Sequence, residues 1–155
     1  MTSSPASPTD WPIDATGVTL SVTRALKSAG LTPGDVDMVQ AAANGGKNPD
    51  GIEADAYLRL FGSDKDVPVV SSIKGAMGES FSSGGIRAAA LALSISKGMV
   101  PPTLGLNNPI APLSFITGKA GNMDIRNGLV NAVSYGGTNV SIVMRKMTDT
   151  KTDKN

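Results

Sequence analysis

The segment Val69-Val-Ser-Ser-Ile-Lys-Gly-Ala-Met-Gly-Glu-Ser-Phe-Ser-Ser-Gly-Gly85, with the apolar run that continues to Lys97, decides how this chain is read. A short β-branched run enters a loop of glycine and serine, and a helix of small residues leaves it. Strand, loop and helix in that order place a site beyond the carboxyl end of a strand in α/β proteins. Lys74 and Glu79 are the only charged residues between Asp66 and Arg87. Charges in such a loop either serve a ligand or pair with each other.

Upstream, Val18, Val22, Ala25, Leu26 and Ala29 recur at three- and four-residue spacing, which predicts a helix over 15–29 that Gly30 stops. Val36-Asp-Met-Val-Gln-Ala-Ala-Ala43 reads as a largely buried strand, and 44–51 as a turn-rich loop. Asp50 and Glu53 form a capping arrangement for a helix running to Phe61, so helix-end electrostatics is the expected role of both acids. Residues 67–70 form a short strand. Downstream, Gly84 to Lys97 is apolar nearly all round, and such a helix needs cover on more than one side. The region 106–121 is irregular, with one short strand at most, at 113–116. Two strands, 128–133 and 139–144, are joined by Ser134-Tyr-Gly-Gly-Thr138, a connection so short that the pair must be antiparallel.

Residues 1–14, rich in Ser, Thr and Pro, read as an extended arm whose lone Trp11 either packs on its own domain, the usual case, or anchors a partner. Residues 15–147 form one domain, and 148–155 a flexible polar tail. The fold class is α/β: a mixed sheet of about four to five strands flanked by helices, ending in an antiparallel strand pair.

A formal net charge of +1 gives no electrostatic footprint for nucleic acid. No run reaches the roughly 18 apolar residues of a membrane span, and the N-terminus lacks the features of a signal peptide, so a cytoplasmic location is expected. The chain has no cysteine and no histidine. Thiolate chemistry and the commonest general base are therefore excluded, which leaves carboxylates, lysines and tyrosines. No metal site and no cofactor are expected. Ser71-Ser-Ile-Lys74 matches a serine acyl-enzyme pattern, but it follows a strand directly and lacks the companion motifs, so it reads as chance. The hairpin tip Tyr135-Gly136-Gly137 could aim backbone N–H groups at one point, as an oxyanion hole needs.

Four segments together carry a resemblance: Val36 to Gly46, Pro68 to Gly78, Gly98-Met-Val-Pro-Pro-Thr103, and Asn131-Ala-Val-Ser-Tyr-Gly-Gly-Thr-Asn139. In order and spacing they resemble the C-terminal half of a β-ketoacyl synthase of the thiolase superfamily, over about Ala15 to Met147. The resemblance implies one half of a thiolase-like fold. It implies that a cysteine nucleophile would come from an N-terminal half, and that two histidines would come from this half. Asn44 matches the first histidine and Glu79 the second; Lys74 matches the family's lysine, and Ala88 its acidic partner. Tyr135 matches a phenylalanine of the loop that gates the acyl pocket and offers a backbone N–H to the oxyanion hole. Glu53 and Asn131 are expected to be structural.

With both histidine positions replaced, the resemblance implies a non-condensing, chain-length-factor-like subunit of a split synthase in fatty-acid or polyketide biosynthesis. It would complete the fold and shape the acyl tunnel, with the Lys74–Glu79 pair kept for shape. Its expected partners are an N-terminal-half chain, an active ketosynthase subunit and, through the complex, an acyl carrier protein. The alternative is the catalytic half of a heteromeric synthase or acyltransferase. There a partner's cysteine would act with Asn44 and the Tyr135 loop as oxyanion donors. Met1 and the arm stand where a further strand of the family would have just ended, so a separate chain is expected to supply the missing half.

Overall fold

A computed structural model of the protein describes residues 1–3, 5–12, 14–62, 67–79 and 83–147. In chain order its strands are β1 (Thr2–Ser3), β2 (Met38–Gln40), β3 (Val69–Ser71), β4 (Met99–Val100), β5 (Ser114–Phe115), β6 (Gly121–Asn122), β7 (Asn127–Val133) and β8 (Thr138–Arg145). The α-helices are α1 (Thr16–Ala29), α2 (Lys47–Phe61), the single turn α3 (Lys74–Met77) and α4 (Ser83–Lys97). The expected tail, 148–155, lies outside the described residues.

Six strands form one mixed sheet in the order β1-β8-β7-β2-β3-β5. The central strands β7, β2, β3 and β5 run parallel, with Val39 opposite both Val70 and Leu129. The β7–β8 hairpin is antiparallel, as its short connection requires. The expected mixed sheet is present, and it is wider by one strand: Thr2–Ser3, in the segment expected to be an irregular arm, pairs with Asn139 and Thr138 of β8. Two paired residues leave little periodicity to read. A separate antiparallel pair joins β4 to β6.

Alternation along the strands builds two cores. Val39 and Leu129 face α1 and α2, where Val18, Val22, Leu26 and Tyr57 complete one cluster. Their neighbours Met38 and Val130 face α4 and pack with Leu91 and Ile95. Gly128 allows α4 to approach β7 closely, since a Cβ there would lie 2.5 Å from Leu91 Cδ1. Helix α1 ends as expected: Gly30 adopts φ 67° and its N–H donates to the last carbonyls. Helix α2 begins at Lys47, three residues before the expected acidic start.

Helix α4 was expected to need cover on more than one side. Within this chain it has one covered face, while Leu93 is 61% and Ile86 46% exposed on the outside. Among the described residues no helix is long and apolar enough to cross a membrane.

Candidate functional site

The carboxyl ends of β2 and β3 carry the sequence-predicted residues. Ser72 Oγ donates to Ala43 O at 2.6 Å and Thr103 Oγ1 accepts from Ser72 N at 3.1 Å, which ties the two strand ends and the 103 segment together. Lys74 opens α3 directly after β3, and Gly78 at φ 79° turns the chain so that Glu79 comes back over it. Lys74 Nζ donates to Glu79 Oε2 at 2.6 Å, with the lysine side chain only 10% exposed and the glutamate 47%.

Asn44 Nδ2 donates to the same Glu79 oxygen at 2.7 Å. Asn44 is itself held by Asp50, whose carboxylate accepts from the Asn44 and Gly45 backbone N–H groups. Asp50 lies in the first turn of α2 but does not cap it, since the N-cap is Gly46 and no side chain caps it. The structure thus gathers Asn44, Lys74 and Glu79 into one cluster. In that cluster an ammonium and an amide both donate to one carboxylate oxygen, so the lysine charge balances the glutamate and Glu79 acts as an acceptor.

The Tyr135 loop is held elsewhere. Gly136 and Gly137 take φ 72° and 76°, conformations open to glycine. The Trp11 and Tyr135 rings lie 4.3 Å apart between centroids, and Gly136 N donates to Asp10 O at 3.0 Å. The arm therefore packs on its own domain through Trp11 and occupies one of the two glycine N–H groups. Asn44 lines a cleft of about 470 Å³ that includes neither Lys74, Glu79 nor Tyr135.

Glu53 departs from its expected role. It does not serve the helix end: it is 2% exposed, and its Oε1 accepts from Ala42 N at 2.9 Å, Tyr57 Oη at 2.5 Å and Asn131 Nδ2 at 2.9 Å. Asn131 Oδ1 accepts from Ser141 Oγ at 2.9 Å, and its backbone carbonyl accepts from Arg87 Nη1. Burial first, then the charge and hydrogen bond of Glu53, push the Tyr57 hydroxyl well above its ordinary value, while Arg87 pulls the other way. Arg87, 3% exposed, was missed by sequence reasoning. Its only signal was a lone charge inside an apolar helix. No cluster of three or more potential metal-ligating carboxylates occurs among the described residues.

A half-sheet with parallel centre, a terminal antiparallel hairpin and helices on both faces defines a thiolase-like architecture. Residues 5–107 match the family described as beta-ketoacyl synthase, C-terminal domain, and the chain belongs to that family. It is 33% identical over 138 residues to a 3-oxoacyl-[acyl-carrier-protein] synthase 2 of Rhizobium meliloti, covering 87% of this chain and 32% of the relative. The fold superposes on a beta-ketoacyl synthase from Burkholderia phymatum with TM-score 0.86 at 26% identity, covering 94% of this chain and 36% of that one. It superposes on the ishigamide ketosynthase/chain length factor with TM-score 0.82 at 24% identity, covering 94% and 34%, a likeness of fold alone. The chain spans about a third of the length of the curated relative it matches.

Proposed function

We propose that this chain is a non-condensing, chain-length-factor-like part of a β-ketoacyl synthase complex in fatty-acid or polyketide biosynthesis. It completes a thiolase-like fold with an N-terminal half and shapes the acyl tunnel of an active ketosynthase subunit. An acyl carrier protein would deliver the chains, as the name of the Rhizobium relative suggests. The observation that carries the proposal is the Lys74–Glu79–Asn44 cluster in a chain with neither histidine nor cysteine. An ionised carboxylate at a position matched to a family histidine accepts hydrogen bonds only. Its charge opposes an enolate forming nearby. The exposed side of α4, with Ile86 and Leu93, supports completion by an N-terminal half.

The second reading makes this a catalytic half that borrows a partner's cysteine, with Asn44 and the Tyr135 loop as oxyanion donors. Two contacts weigh against it: Asn44 Nδ2 already donates to Glu79, and Gly136 N–H to Asp10.

The test pairs the chain with a cysteine-bearing N-terminal ketosynthase half, malonyl and acyl carrier proteins, and measures 3-oxoacyl product. The complex is expected to form and release no product above the N-terminal half alone, with Glu79→Gln unchanged. Product that falls about a hundredfold or more in Asn44→Ala, the loss of one oxyanion donor, with the complex intact, would establish the second reading instead.

A further inference from the structure

The chain contains two Asn-Gly pairs, Asn44–Gly45 and Asn127–Gly128. Glycine, with no Cβ, leaves its backbone nitrogen open to attack the side-chain amide before it, so such pairs are where a chain closes a succinimide and loses ammonia. The fold holds the two pairs differently. Asn127–Gly128 lies within β7, extended between β2 and β8, which turns the glycine nitrogen away from the asparagine amide. Asn44–Gly45 lies in the exposed turn before α2, with Gly45 at φ 89° and open space where a Cβ would stand.

Each atom that ring closure changes at Asn44 already has a partner of the matching kind. Gly45 N–H, the nucleophile, donates to Asp50 Oδ2 at 2.9 Å, a carboxylate placed to take its proton. Asn44 Oδ1, where negative charge grows as Cγ becomes tetrahedral, accepts from Gly46 N–H at 2.9 Å. Asn44 Nδ2, the leaving group, donates to Glu79 Oε2 at 2.7 Å, and Lys74 Nζ donates to that same oxygen at 2.6 Å. A proton handed from the ammonium through that oxygen reaches the departing nitrogen.

We propose that Asn44–Gly45 is a self-modifying site. The Gly45 nitrogen attacks Asn44 Cγ, the bond from Cγ to Nδ2 breaks, and ammonia leaves. Water then opens the succinimide to an aspartyl or isoaspartyl residue. Asp50 takes the Gly45 proton, Lys74 supplies one to the leaving nitrogen through Glu79, and solvent carries the first proton back to Lys74. The product carboxylate faces Glu79 where an amide had donated to it, so like charges separate the 44–46 turn from Glu79. The step is internal to this chain and does not depend on the non-condensing reading.

Peptide mapping by mass spectrometry follows the amide-to-acid conversion at both pairs in the full chain at neutral pH, folded and in urea. Asn44 is expected to convert about a hundredfold faster in the folded chain than in urea, the usual worth of positioned acid–base groups. Asn127 should stay intact until the chain unfolds. Asp50→Ala should slow Asn44 to the rate of the unfolded chain, with the fold kept, as circular dichroism checks. Were Asp50 only a brace for the turn, releasing Gly45 N–H would speed the reaction, so the direction of change separates the two roles. Asn44 that converts no faster folded than in urea, or no slower in Asp50→Ala, would overturn the proposal.

Discussion

Glu53 and Tyr57 sit one turn apart on α2, and the hydroxyl donates to the carboxylate at 2.5 Å with both side chains buried. Because burial and Glu53 raise the tyrosine's pKa, the folded protein keeps that proton above pH 10, where the unfolded chain releases it. The sign follows by linkage. The contribution is fully present below about pH 10 and is lost as pH rises through the folded value. Tyr57→Phe is expected to lower stability by about 1.5–3 kcal/mol near neutrality and to flatten the decline in alkali. Urea unfolding on both sides of about pH 10 checks this, and a slope unchanged by the substitution would contradict it. Asp50 and Glu53 gave one signal in the sequence, two acids at three-residue spacing, yet one binds loop amides and the other is buried. Spacing puts them on neighbouring parts of a helix, but only the sheet packed beneath decides which acid loses water. The Lys74–Glu79 pair was legible because no other charge was near enough in sequence to compete. Arg87 was illegible because its partners, Asn131 and the Glu53 network, come from strands and helices far along the chain.

At the scale of elements, helix α1, the buried strands and the terminal hairpin could be read because each carries enough residues to show a period or a forced turn. Strands β1, β4 and β6 are two residues each, and their pairing depends on where longer elements leave an open edge, whereas β5 falls inside the strand expected at 113–116. The single-turn helix α3 is set the same way. Gly75 lies within it, and a Cβ there would come 2.4 Å from the backbone oxygen of Leu104. In an unhindered helix Gly→Ala stabilises by roughly 1 kcal/mol. Here the 103–111 segment must move, so Gly75→Ala is expected to destabilise by about 1–3 kcal/mol in urea unfolding. A gain in stability would show that α3 and this segment do not touch as described. The N-terminal arm also acts as an element. Trp11 on Tyr135 and Asp10 on Gly136 N–H fix the glycine loop from outside the sheet, a contact that composition alone could only suggest.

For the whole molecule the two cores are unequal. One face of the sheet is closed by α1 and α2, while the other carries α4, whose far side shows Ile86 and Leu93 to solvent. The proposed N-terminal half would pack on this exposed side of α4. The direct measurement is sedimentation and unfolding of the chain alone and with an N-terminal ketosynthase half. Alone, it should self-associate; with the partner it should form a single complex that Leu93→Arg prevents. A well-behaved monomer that unfolds cooperatively and ignores the N-terminal half would contradict the account.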